Sequence, residues 1–233
     1  MYLKYRKNFF SQDGEDGVIA KLLEDLKIEN NITACEFGAW DGKHYSNTFN
    51  LVSKCSKLLM IEGHEIRFQD LIRTSRENPN IIPVNKFVTT SGKNCLDEIL
   101  KDNNFPSDFD ILSIDVDTND LDIWESLKNF TPKIVIIEIN STIPPGILQI
   151  HNPEENKHSN SFSSTVEVGN VKSYTPICHT GNLIFLKNDL LSEINFSKEL
   201  IKNPNKIFIT DWINSKYFFI DKIRKLFFRF KRS

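Results

Sequence analysis

The stretch Cys35-Glu36-Phe37-Gly38-Ala39-Trp40-Asp41-Gly42 carries one acid and two glycines between an apolar lead-in, Ile32-Thr33-Ala34, and a polar run from Lys43 to Val52. An acid followed by Gly-x-x-x-Gly at a strand-to-helix junction is the pattern of a turn that takes a nucleotide-type cofactor. The glycines let the backbone turn sharply and approach a ligand where a Cβ would collide. A dinucleotide pyrophosphate fits poorly, because the third glycine of Gly-x-Gly-x-x-Gly is missing and Glu36 would repel phosphate. A cofactor presenting an ammonium and hydroxyls suits it better. Glu62, about 20 residues beyond Gly42, stands where an acidic side chain accepts both ribose hydroxyls.

Asp115, Asp117, Glu138 and Asn140 form a second group. Acids that end neighbouring strands can take a proton from a hydroxyl. With oxygen ligands alone they would also suit Mg²⁺. A structural use is open too: Asp117 and Asp120 precede a helix and can cap its free N–H groups, the preferred reading for Asp120. Asp115-Val116-Asp117 also matches the Asp-x-Asp of metal-dependent glycosyltransferases, a reading that leaves Glu36 and Glu62 without a role. The histidines His44, His64, His151, His158 and His179 are not paired at metal-ligand spacing. His44, just after the glycine turn, and His179 are candidate general bases.

The elements that must position these groups alternate. Strands are expected at 32–37, 58–61, 80–85, 109–115 and 133–139. Helices are expected at 17–26, 45–54, 65–76, 95–101 and 121–128. Continuous apolar strands separated by helices indicate a parallel sheet covered on both faces. In such sheets the ligand sits beyond the carboxyl ends of the strands, where the strand order reverses. Asp41, Glu62, Asp115, Asp117 and Glu138 all fall at such ends. The pattern breaks from 143 to 173, an irregular insert of the kind used as a lid or substrate loop, with one short helix after Ser164. Strand signals return at 174–178 and 182–187.

The chain has 233 residues and a net charge of −2, so one domain is the default and no global basic field points to nucleic acid. The four cysteines are scattered without Cys-x-x-Cys, which argues against zinc and disulfides and for a reducing cytosol. The charged N-terminus has no apolar signal core behind it, and no apolar run reaches membrane-span length. The segment 216–233 mixes Phe, Lys and Arg. It reads as a final packed helix, as a peripheral contact with an anionic membrane surface, or as a partner site.

Glu36-Phe37-Gly38-Ala39-Trp40-Asp41-Gly42, Ile61-Glu62-Gly63 and Ile114-Asp115-Val116-Asp117 resemble the first, second and fourth motifs of class I S-adenosylmethionine-dependent methyltransferases. Ser113 to Asp120, followed by Trp124-Glu125-Ser126-Leu127, is similar to the segment of FkbM-type methyltransferases that reads Ile-Asp-Val-Glu-Gly-Ala-Glu, with Thr118-Asn119 in place of Gly-Ala. The resemblance covers roughly residues 10 to 188. It implies an α/β fold with a Rossmann-like seven-strand sheet, mostly parallel with an antiparallel closing strand, and helices on both faces. The domain would span 1–200, followed by a basic-aromatic tail at 201–233. It further implies that Glu36, Gly38 and Ala39 line the methionine half of S-adenosylmethionine, with Asp41 beside them. Glu62 would hold the ribose, Asn85 would lie near the adenine and Asp115 near the methyl group. Gln12 and Asp16 would close over the amino-acid end. Asp115, Asp117, Glu138 and His44 are the catalytic candidates. The function implied is O-methylation of a small molecule such as a sugar or surface-glycan precursor, in the cytoplasm or at the inner face of the membrane. The alternatives are a sugar transferase using Asp115 and Asp117, and a module that kept the fold without catalysis.

Overall fold

The computed structural model describes residues 1–116, 118–155 and 157–210. Asp117 and the basic-aromatic segment 216–233 therefore lie outside the described residues. Seven strands form one sheet: β1 (Ile32–Phe37), β2 (Cys55–Ile61), β3 (Ile81–Val84), β4 (Ile111–Ile114), β5 (Ile134–Glu138), β6 (Tyr174–His179) and β7 (Asn182–Lys187). Their order is β3-β2-β1-β4-β5-β7-β6. The first five are parallel, and β7 runs antiparallel to both β5 and β6. This is the mostly parallel Rossmann-like sheet with an antiparallel closing strand that the sequence suggests. The order reverses between β1 and β4, which pair from Ala34↔Ile111 to Phe37↔Ile114.

The apolar runs are continuous because alternate residues enter two different cores. Ala34, Leu58, Met60, Ile111, Ile134 and Ile136 face one side, where Val18, Ile19, Leu22 and Leu23 of helix α1 (Glu15–Asp25) and Leu71 of α2 (Glu65–Glu77) cover them. Cys35, Phe37, Leu59, Ile61, Leu112, Ile114, Val135 and Ile137 face the other. There they meet α3 (Leu96–Asp102), α4 (Asp120–Ser126) and α5 (Phe162–Val171). Trp124 of α4 is fully buried against Tyr174 and Phe185. The two edge strands each carry a proline, Pro83 in β3 and Pro176 in β6, where the missing N–H interrupts no central ladder.

Two local expectations need correction. Residues 45–54 do not form an α-helix; a 3₁₀ turn occupies Phe49–Lys54 only. The N–H groups of Asn47 and Thr48 go to the side chain of Glu36 instead of opening a helix. The 143–173 insert is irregular up to α5, and α5 starts earlier than read, at Phe162, with the Ser161 hydroxyl capping the Ser164 N–H at 3.2 Å. After β7, a short helix α6 (Lys198–Lys202) follows, and Phe208 stacks on His179. Among the described residues, no helix is long and apolar enough to cross a membrane.

Candidate active site

The turn after β1 brings three strand ends together. The Gly38 and Ala39 N–H groups donate to the Ile61 carbonyl of β2, at 3.1 and 3.2 Å. Gly38 has φ +79°, and a Cβ there would lie 1.7 Å from the Asp115 carbonyl oxygen beyond β4. Only glycine lets the backbones at the ends of β1 and β4 approach this closely. The turn continues through two more left-handed residues, Trp40 at φ 46° and Gly42 at φ 77°.

Glu36 is the last inward residue of β1 on the α1 side, and it is 5% exposed. Its Oε2 accepts from the Ser46 hydroxyl at 2.7 Å, from the Thr48 N–H at 3.2 Å and from the Thr48 hydroxyl. Its Oε1 accepts from the Asn47 N–H at 3.1 Å. Burial pushes its carboxyl above the usual range, and these four donors pull the other way. Glu36 thus serves first as an internal staple that shapes the 46–48 segment, with one face on the cavity.

Glu62, beyond β2, is equally enclosed, with 5% exposure. It accepts the Trp40 N–H at 2.9 Å on one oxygen and the His64 N–H at 2.7 Å on the other. Each oxygen keeps acceptor capacity for a ligand hydroxyl. The Asn85 side-chain amide donates to the Glu62 carbonyl at 2.8 Å and so fixes the strand end that carries this carboxylate.

Glu36, Gly38, Ala39, Glu62, Asp115, Glu138 and His44 all line one cavity of about 770 Å³. The β1 and β2 acids form one part of its floor, and the residues ending β4 and β5 form another. Gln12 reaches the same cavity from the N-terminal turn. Asp16 stands behind it: one of its oxygens gathers the N–H groups of Phe9, Phe10 and Ser11 at 2.8, 2.7 and 2.8 Å, holding the turn that presents Gln12. Asp41 is not among the walls. Its Oδ1 accepts from Lys43 and His44 N–H at 2.9 and 2.7 Å, which sets the direction of His44. Asn85 borders a neighbouring hollow with Gly63, His64 and Phe87.

Asp120 does not cap its helix. Asn119 occupies the cap position, and the Asp120 carboxylate accepts the Val116 N–H at 2.8 Å, steadying the loop that follows Asp115. His179 lies away from the cavity walls and is fully buried. Its Nδ1 accepts from the Ile209 N–H at 3.1 Å, so the proton resides on Nε2, 2.8 Å from the Ser141 hydroxyl. Burial, aided by the Arg6 charge, lowers its pKa to about 4. It is a neutral structural histidine, not a general base at this cavity. Among the described residues, no three His, Cys, Asp or Glu side chains gather as a metal-binding group. Asp117, which the sugar-transferase reading needs, is outside those residues.

The sequence reading missed Trp40, Tyr45, Arg67, Lys86 and Phe87, all on the cavity wall. Trp40 did carry a signal: a bulky residue inside a glycine turn is the wrong type for that backbone.

No protein-family model matches the chain, and no curated protein matches it in sequence. Among solved structures, it is similar to the CurJ carbon methyltransferase, at 9% identity over 73% of this chain and 51% of that one, TM-score 0.48. The chain thus spans about half the length of that protein's structure. It is also similar to the N-terminal domain of EvdMO1, solved in the presence of SAH and D-fucose, at 11% identity over 79% of this chain and 91% of that one, TM-score 0.49. A third is a SAM-dependent methyltransferase from Aquifex aeolicus, at 15% identity over 71% and 85%, TM-score 0.42.

Proposed function

We propose that the chain is an S-adenosylmethionine-dependent methyltransferase that delivers the methyl group to a hydroxyl oxygen of a small molecule, a sugar or surface-glycan precursor. The observation that carries this reading is the cavity at the β1/β4 reversal, walled by the Gly38 turn on one side and by the Glu62 carboxylate on another. The donor set fits the cofactor. Carboxylates at 36 and 62 suit an ammonium and a ribose diol and would repel a pyrophosphate. The bare Gly38 backbone leaves room for close approach, and about 770 Å³ lies within the range of small-molecule sites.

Glu62 is the group to hold the ribose hydroxyls, because both of its oxygens are already oriented by backbone N–H groups. The Gly38-Ala39 backbone would hold the amino-acid end, with Gln12 over it. When bound, S-adenosylmethionine supplies a sulfonium methyl carbon that an oxygen nucleophile attacks in line. Asp115 and Glu138, on the same cavity wall, are the carboxylates to accept the proton that the attacking hydroxyl gives up. His44 stands at the exposed rim, where it would orient the acceptor rather than take the proton.

Incubation with methyl-labelled S-adenosylmethionine and a panel of hexoses and hexose derivatives tests the reading by mass spectrometry. Methylated product with formation of S-adenosylhomocysteine is expected. Divalent-metal-dependent binding of a nucleotide sugar, with no affinity for S-adenosylmethionine, would overturn it in favour of glycosyl transfer.

A further inference from the structure

Four carboxylates of the described residues line this cavity, and two of them, Asp115 and Glu138, are half-buried. The carboxylates Glu36 and Glu62 are buried on its floor, at 5% exposure each. The cationic groups Arg67 and Lys86 stand nearer its mouth, with Arg67 exposed and Lys86 half-buried. Among the described residues, Arg67 forms no ion pair. Its guanidinium lies over the Trp40 ring, 5.2 Å from the centroid. The ion pair of Lys86, among the described residues, is a long contact of 3.8 Å to the exposed Asp102.

The same mouth carries two aromatic residues whose backbones lie in the left-handed region, Trp40 at φ 46° and Tyr45 at φ 58°. Bulky residues rarely adopt this conformation, which asparagine and glycine reach with little strain. Both residues are exposed, at 42% and 46%, so neither is kept for the core. His44 joins them, 5.2 Å from Trp40 and 3.9 Å from Tyr45 between ring centroids. The Trp40 backbone is held by its main-chain N–H, which donates to the Glu62 carboxylate. Strain that persists at a cavity mouth, in residues whose side chains the core does not use, points to a use for the rings themselves.

Arg67 covers one face of Trp40; the remaining exposed surface of Trp40 and Tyr45 takes the apolar face of a sugar ring, and the guanidinium takes an anion. Gln12, Thr118 and Asn119, which line the same cavity, supply hydrogen-bonding groups for hydroxyls. We propose that the acceptor is an anionic sugar, its ring packed on Trp40 and Tyr45 and its phosphate or carboxylate group held by Arg67. This deepens the methyltransferase reading and rests on it.

The protein has three tryptophans, and Trp124 is fully buried, so the difference in emission between wild type and Trp40→Asn isolates the Trp40 signal. With S-adenosylhomocysteine saturating, the full chain is titrated with hexose 6-phosphates, hexuronates and neutral hexoses. S-adenosylhomocysteine affinity itself is measured by calorimetry. At least one anionic sugar is expected to quench the Trp40 emission saturably, with affinity about ten-fold or more above that of its neutral parent, the scale of one charged hydrogen bond. The phosphate and carboxylate arms identify the anion. Arg67→Ala should abolish that preference, and Arg67→Lys should restore part of it. Trp40→Asn, with its sugar affinity measured by calorimetry, should bind anionic sugars more weakly than wild type without lowering Tm.

Equal affinity for neutral and anionic sugars, or no sugar binding while S-adenosylhomocysteine binds normally, overturns this proposal and leaves the methyltransferase reading standing. So does an Arg67→Ala effect confined to S-adenosylhomocysteine, which would make Arg67 a cofactor contact. Absence of S-adenosylhomocysteine binding in the wild type sinks both.

Discussion

Glu36 and Glu62 end neighbouring strands and share one cavity, yet their side chains do different work. Glu36 meets four protein donors, so truncation leaves buried hydroxyls and N–H groups of Ser46, Asn47 and Thr48 unpaired. Glu36→Ala should therefore lower unfolding free energy by about 3 kcal/mol in denaturant titrations. The sequence identified Glu36 as an acid at a strand end, but its partners lie ten to twelve residues on and are set by tertiary packing. His179 was legible as a histidine and not as a buried one. Its pKa is about 4 when folded, against 6.5 when unfolded, so the unfolded chain binds the extra proton between those values. Stability from this residue is full above pH 6.5 and falls as pH drops to 4, by roughly 3 kcal/mol at most. Asp13 acts in the opposite sense. Burial and the Glu15 charge raise it from 3.8 to about 6, so its contribution falls as pH rises through that window. Thermal melts across pH 4 to 6.5 should show Asp13→Asn losing stability on acidification more steeply than wild type, and His179→Gln gaining it.

At the scale of elements, the strands were readable because most carry an apolar run that is buried on both faces of the sheet. The helices α1 to α4 followed from their apolar spacing and from polar turns between. The 45–54 region misled for a physical reason: its sequence permits a helix, but the Glu36 carboxylate claims the N–H groups that would open one. The N-terminal turn was legible as polar, and the family resemblance implied that Gln12 and Asp16 close over the cofactor. Asp16 organises it by collecting three successive backbone N–H groups, and Gln12 reaches the cavity from it. Asp16→Ala should cost about 2 kcal/mol of stability and weaken cofactor affinity, with the acceptor panel otherwise ranked as before. Retention of wild-type affinity in calorimetry would show that the turn does not close on the cofactor.

For the whole molecule, the strand order β3-β2-β1-β4-β5-β7-β6 places the reversal where the Gly38 turn meets Asp115, and the cavity forms there. The sequence pointed to this place through the acids at strand ends, because charge at the carboxyl ends of buried strands has few structural uses. It could not show the mouth: Trp40 and Tyr45 from the turn after β1, Arg67 from α2 and Lys86 from the loop after β3 converge only in three dimensions. The central claim is that this cavity holds S-adenosylmethionine through Glu62, and a calorimetric titration of wild type beside Glu62→Gln tests it most directly. One molecule of S-adenosylmethionine should bind per chain, and Glu62→Gln should weaken it about ten- to a hundred-fold, roughly 1–3 kcal/mol, with the far-ultraviolet circular dichroism unchanged. No heat with the wild type, or equal affinity in the folded variant, would contradict the account.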